Sequence, residues 1–278
     1  MGALHAGHLG LVERAVREND VACVSVFVNP LQFNDPSDFE RYPRDLGADA
    51  SALAGVGCAM VFTGTLAGFF PRELDPASGT LRPEHLLDPG RGALGLEGEM
   101  RPGHFAGVAT IVDRLFQVVR PDRAYFGRKD YQQTLVVEDL TQRARDAGRH
   151  APQIVVCPTS REASGLARSS RNELLSAPER ERATVLSRAL GAARAAWEAG
   201  ERSPARLRDV MQGLFAGEGV ELEYAEVRDP ESWTASEPDR PLEQAVALIA
   251  ARVGEVRLID NAPLHEAAGH EASGHGAS

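Results

Sequence analysis

Three short clusters in this chain combine residue types suited to handling phosphate. The first is His5-Ala6-Gly7-His8, two imidazoles three residues apart ahead of a helical pattern. At a helix N-terminus both rings can meet an anion already favoured by free N–H groups and the helix dipole. Gly7 lets a phosphate chain come close to the backbone. From the motif alone, capping of the helix by the histidines is an equal alternative. A zinc pair would need a third ligand that is not evident. The second cluster is Gly127-Arg128-Lys129-Asp130-Tyr131-Gln132-Gln133, where an apolar strand passes into a helix. In open α/β sheets, ligands bind at the carboxyl ends of strands; the bland alternative is a solvated helix start capped by Asp130. The third is Ser169-Ser170-Arg171-Asn172, hydroxyls and a guanidinium able to grip a polyphosphate or simply to form a polar loop.

Composition sharpens the second cluster. Lys129 is the only lysine in the chain; every other strong cation is an arginine. A compact ammonium kept at one position suggests a site where a planar guanidinium would not fit. The net charge of −10 argues against a nucleic-acid partner, so an anionic substrate must be held by a few local cations. The three cysteines, Cys23, Cys58 and Cys157, form no C-x-x-C pair and sit in or beside apolar runs. They read as reduced, small hydrophobes, which suits the cytoplasm. No apolar run approaches the roughly 20 residues a membrane span needs, and no secretory signal is seen.

The elements that position these clusters alternate. Val21 to Val28 and Cys58 to Phe62 read as buried strands, with a helix over 45–55 between them. Residues 64–103, rich in glycine and proline, read as irregular. Val108, Ile111, Val112, Leu115, Phe116 and Val119 mark one face of a helix. A strand over 124–126, a helix over 130–147 and a strand over 154–157 follow. This alternation predicts a parallel sheet with helices on both faces. Past residue 160 the pattern changes to helices over 178–199 and 204–216, then strands over 220–227, 245–251 and 255–259. The expected division is an α/β domain over 1–159, a smaller α+β C-terminal domain over 160–264 and a disordered tail over 265–278. His265, His270 and His275 recur every five residues in that tail, a spacing that puts no two imidazoles together on a helix face.

Longer motifs narrow the reading. M-G-A-L-H-A-G-H-L, F-V-N-P-L-Q-F-N, R-Y-P-R, L-E-G-E-M-R-P-G-H-F-A-G-V, R-P-D-R-A-Y-F-G-R-K-D-Y-Q-Q, R-E-A-S-G-L-A-R-S-S-R-N and R-L-I-D-N occur in order. Together they resemble the pantothenate synthetase family, within the adenylate-forming HxGH nucleotidyltransferases. The resemblance covers most of residues 1–180, with an anchor at 257–261. It implies a Rossmann-like, doubly wound parallel sheet with a smaller C-terminal lid domain. The implied reaction activates pantoate with ATP as an acyl-adenylate, with Mg²⁺, then joins it to β-alanine. A homodimer is implied as well.

The family roles carry over residue by residue. His5 and His8 would contact ATP phosphates, with His8 a candidate proton donor. The stretch from Met1 and Gly2 to His8 would line the ATP site. Gln32 and Gln133 would bind pantoate. Gly127, Arg128, Lys129 and Asp130 match the turn that holds ribose and phosphates, and Ser169, Ser170 and Arg171 match the loop that closes on the triphosphate. No protein side chain is singled out as a metal ligand. Arg168 stands where the family usually has Leu or Met beside the adenine, Ser160 where Val is usual, Ser164 where Asp is usual, and Arg128 replaces a common Glu. The departures at Arg168 and Ser160 imply altered nucleotide affinity and not a changed reaction. Two rivals stand beside this reading: another HxGH-type nucleotidyltransferase acting on a phosphate ester, against which R-P-G-H-F and Y-Q-Q speak, and an inactive truncated relative that only binds ligand, against which the intact His5, His8, Lys129 and Arg171 speak. In the family a buried strand precedes the M-G-A-L-H motif, with which Met1 opens here; the expectation is a sheet lacking its first strand and a natural start upstream.

Overall fold

The computed structural model describes residues 2–33, 39–40, 42, 44–217 and 219–265. Met1 and the tail beyond His265 lie outside them. The chain divides into two compact units: residues 1–127 with 131–157, and residues 128–130 with 158–278. The expected cut at 159 differs from this in two respects: the boundary falls after Cys157, and the turn Arg128–Asp130 belongs with the second unit.

Among the described residues of the first unit, four strands form two parallel pairs. β1 (Cys23–Ser25) pairs with β2 (Met60–Phe62), and β3 (Arg123–Gly127) pairs with β4 (Gln153–Cys157). Helices Leu46–Gly55, His104–Val119 and Tyr131–Asp146 alternate with the strands, as in an α/β, Rossmann-like domain. β1 is shorter than the apolar run over 21–28 because its partner β2 offers only three residues to pair. Burial pushes the Cys23 thiol up from its ordinary value, away from reactive thiolate.

Helix Ala6–Glu18 is fixed at its C-terminal end. Arg14 and Glu18 pair at i, i+4 (2.8 Å), and this bond holds the Glu18 carboxyl below its usual range. Tyr125 Oη donates to Glu18 Oε2 at 3.0 Å and accepts from Asn19 Nδ2 at 2.8 Å, tying the helix end to β3. The stretch over 64–103 is not wholly irregular: it contains helical segments at Leu66–Phe69 and Leu96–Met100.

The second unit is an antiparallel sheet in the order β5-β6-β7, with β5 at Glu221–Arg228, β6 at Val246–Val253 and β7 at Val256–Pro263. One face packs on helices Val185–Glu198 and Pro204–Gly213 around buried Leu186, Leu190, Trp197, Met211 and Ile249. The long helix expected over 178–199 is broken into Ala177–Arg182 and Val185–Glu198. Thr184 causes a tighter turn there. Its hydroxyl donates to Glu181 O at 2.6 Å while its N–H bonds the same carbonyl at 3.1 Å.

Candidate active site

In the first unit the H-x-G-H motif is the cap of its own helix. His5 is the N-cap, and its Nδ1 accepts from Gly7 N–H at 3.1 Å. His8 Nδ1 accepts from His5 N–H at 3.4 Å, and the two rings lie 4.0 Å apart between centroids. Capping and phosphate binding are therefore compatible. Accepting at Nδ1 places the proton of each neutral ring on Nε2, so both rings become Nε2–H donors. The segment before them is held under strain: Ala3 adopts φ 54°, and Leu4 N–H donates to Asp49 Oδ1 at 2.8 Å. Asp49 is a buried carboxylate that sequence reading passed over.

Gln32 ends a 3₁₀ turn, Pro30–Gln32, capped by buried Asn29. Asn29 Nδ2 donates to Gly107 O at 3.1 Å, and the turn lies so close to Gly107 that a Cβ there would sit 2.3 Å from Leu31 O. The Gln32 carbonyl accepts from Arg101 Nη2 at 3.1 Å and lies 2.9 Å from His104 Nδ1. The R-P-G-H-F stretch thus fixes the backbone that presents Gln32. Of the paired amides on helix Tyr131–Asp146, only Gln133 stands beside the unit's surface. Gln132 points inward: Nε2 donates to Gly92 O (3.0 Å) and Gly95 O (3.2 Å), and Oε1 accepts from Glu97 N–H (2.9 Å).

The second unit gathers the cations. A concave pocket is lined by Lys129, Ser169, Arg171, Arg257 and Asp260, with Leu166, Ala167 and Leu186 among its apolar walls. Lys129 Nζ lies 3.3 Å from Asp130 Oδ1, with only 21% of the lysine side chain exposed. Arg257 pairs with Glu223 at 2.6 Å, and Glu223 also takes Arg252 at 3.0 Å. Asp260 is committed elsewhere, receiving Arg161 through two bonds of 2.7 and 3.1 Å. Lys129, Arg171 and Arg257 are the cations of the pocket, with Lys129 beside Asp130, Arg257 paired with Glu223 and Asp260 paired with Arg161.

Local hydrogen bonds shape the Ser-Ser-Arg loop. Ser169 Oγ accepts from Arg171 N–H at 3.3 Å and caps the 3₁₀ turn Ser170–Leu174. Buried Asn172 anchors it through Glu162 Oε1 (2.8 Å) and Ala167 O (3.1 Å). Ser160 and Arg168 face each other across a hairpin: Arg168 N–H donates to Ser160 O at 2.9 Å, and its Nε donates to Arg161 O at 3.2 Å. Ser164 sits at the hairpin tip, where Gly165 takes φ 89°. The first unit therefore holds Gly2, His5, His8, Gln32, Gly127 and Gln133. The second holds Arg128, Lys129, Asp130, Ser160 and Arg168–Arg171.

A family model described as pantoate-beta-alanine ligase matches residues 1–263. The chain belongs to the pantoate–β-alanine ligase family. It is 49% identical over 268 residues to the pantothenate synthetase of Rubrobacter xylanophilus, covering 95% of this chain and 89% of that one. It is 47% identical to that of Chromohalobacter salexigens, covering 94% and 87%. The crystal structure of pantothenate synthetase from Thermus thermophilus superposes with a TM-score of 0.82 at 42% identity, covering 96% and 91%. A pantoate-β-alanine ligase from Francisella tularensis, complexed with β-γ ATP and β-alanine, superposes with a TM-score of 0.70 at 32% identity, covering 96% and 88%. The activity of the chain is accordingly the ATP-dependent condensation of pantoate with β-alanine. Among the described residues, no helix is long and apolar enough to cross a membrane.

Proposed function

We propose that the chain carries out this condensation through pantoyl-adenylate, with the named residues in the following roles. The pocket around Lys129, Ser169, Arg171 and Arg257 carries this reading: it concentrates cations in a chain whose net charge is −10. A carboxylate must approach the α-phosphorus of ATP, and two anions repel. Lys129 and Arg171 lower that repulsion and stabilise charge as it moves onto the leaving pyrophosphate. His5 and His8 donate Nε2–H bonds to phosphate oxygens, with His8 the proton donor to the leaving group. Gly2 and Gly127 to Asp130 line the nucleotide, and Ser160 and Arg168 flank its base. Ser169 and Ser170 bind the polyphosphate through hydroxyls and turn N–H groups.

Gln32 and Gln133 hold pantoate by neutral amides, which bond its hydroxyls and carboxylate without trapping it as an ion pair. The carboxylate oxygen forms a bond to the α-phosphorus as the bond to pyrophosphate breaks. The neutral amine of β-alanine then attacks the acyl carbon, and AMP leaves. Water must be kept out between these steps, because it would hydrolyse the mixed anhydride.

Mg²⁺ fits as an ion carried chiefly on the nucleotide. Among the described residues no cluster of three His, Cys, Asp or Glu side chains is arranged to hold a metal. Mg²⁺ commonly binds through substrate phosphates with one or two carboxylates, and Asp130 beside Lys129 would supply one oxygen. Its contribution when bound is to neutralise phosphate charge. The free cysteines support a reducing compartment, the cytoplasm, and the family supports a homodimer.

The test is an assay of AMP and pyrophosphate release with all three substrates. Omitting β-alanine should leave pantoate-dependent exchange of pyrophosphate into ATP. Binding of ATP with neither exchange nor AMP release would defeat the catalytic reading.

A further inference from the structure

Asn261 ends the R-L-I-D-N motif, and no catalytic or binding role follows for it from the resemblance. It lies on β7, opposite Leu248 of β6, and is 3% exposed. Its Nδ2 donates to two successive carbonyls, Arg128 O and Lys129 O, each at 2.9 Å. Successive carbonyls of an extended chain point to opposite sides, so one amide nitrogen can reach both only if the backbone is curled. Residues 128 and 129 do form a turn. The neighbouring Asp260 accepts from Asn261 N–H at 2.8 Å and is itself clamped by Arg161. The nitrogen that holds the turn is thus mounted on a strand fixed from both sides. The orientation of the amide is not arbitrary, because two carbonyl acceptors demand the NH₂ group.

We propose that Asn261 is a positioning residue that sets the place of Lys129 in the anion pocket. The proposal rests on the phosphate role given to Lys129 above. The flanking residues Gly127 and Tyr131 belong to the first unit, while Arg128–Asp130 belong to the second. The amide of Asn261 gives a direct physical basis for that assignment: the backbone of the lysine is hydrogen-bonded to the sheet that forms the pocket, at 133 and 132 residues' separation in sequence. Small displacements of a charged group at a phosphate are costly because catalysis depends on preset geometry.

The experiment is a double-mutant cycle on the full chain, read by calorimetric binding of a non-hydrolysable ATP analogue. Asn261→Ala should weaken binding about tenfold, through two lost hydrogen bonds. Lys129→Ala should weaken it further. The double variant should bind no more weakly than Lys129→Ala alone, because a residue that acts through the lysine has nothing to position once it is gone. Losses that multiply would overturn the proposal, as would unchanged binding by Asn261→Ala beside a weakened Lys129→Ala. Unchanged binding by Lys129→Ala would sink the phosphate reading and this inference with it. Should Asn261→Ala fail to fold, Asn261→Ser keeps one shorter donor and serves in the same cycle with the same criteria.

Discussion

The two units present their candidate residues by different means. In the first, His5 and His8 are placed by one another: each ring accepts a backbone N–H of the same helical turn. In the second, Asp260 and the turn that carries Lys129 are placed by partners far along the chain. Arg161 meets Asp260 across 99 residues, and Asn261 meets the Lys129 turn across 132. A local cap can be altered with local effect, whereas a long-range clamp couples the site to the stability of a whole sheet. Activity and stability should therefore separate at the His5–His8 cap and move together around β7.

The largest effect is expected at the lysine itself. Lys129→Ala should lower the rate of adenylate formation by roughly a hundredfold or more, the size seen when one electrostatic donor is removed. Lys129→Arg should also fail substantially, because a guanidinium fork does not replace a point charge. Neither should change the melting temperature much. Pyrophosphate exchange and thermal unfolding measured side by side check this; near-normal exchange by the arginine variant would make the lone lysine an accident of composition.

Asp260→Asn tests the coupled side. It leaves Arg161 facing a neutral amide, a loss of about 2 kcal/mol for hydrogen bonds to charged groups. Melting temperature and kcat/KM should fall together. A chain that melts normally but loses activity would break the comparison.

The adjacent glutamines sharpen it within one helix. Gln132→Ala removes the side-chain partner of the Glu97 N–H and of the Gly92 carbonyl, and should destabilise by about 1–3 kcal/mol with little change in the pantoate KM. Gln133→Ala should do the reverse, raising the pantoate KM about three- to tenfold at unchanged stability. An ATP KM that rises as much as the pantoate KM would misplace the acid pocket. The smallest effect is expected from a chain ending at His265: the family match stops at residue 263, so activity and melting temperature should both be retained.

Much of this was legible in the sequence because it is local. Periodicity located helix His104–Val119 to within a few residues through its one apolar face, and helices Leu46–Gly55 and Tyr131–Asp146 lie within a residue or two of the expected 45–55 and 130–147. The three candidate clusters were marked by residue type, each with a structural alternative that residue type alone leaves open. The break at Thr184 was hidden, because a hydroxyl competing for one carbonyl leaves the apolar spacing intact. Asp49, Gln132, Asp260 and Asn261 were hidden for a different reason. Their side chains bond backbone or charge far away in sequence, and no local spacing encodes that. R-L-I-D-N stood out as a motif, but only the bonds to Arg161 and to the 128–129 carbonyls say what it holds.

The solitary lysine also makes the chain its own reporter. With one ε-amine in 278 residues, an amine-selective reagent has a single side-chain target, besides the more acidic α-amine that can be titrated apart from it. That target lies in the cationic pocket with a fifth of its side chain in contact with solvent. One adduct mass, and its disappearance under protecting nucleotide, would therefore read the occupancy of this pocket directly, with no engineered label and no background from other lysines.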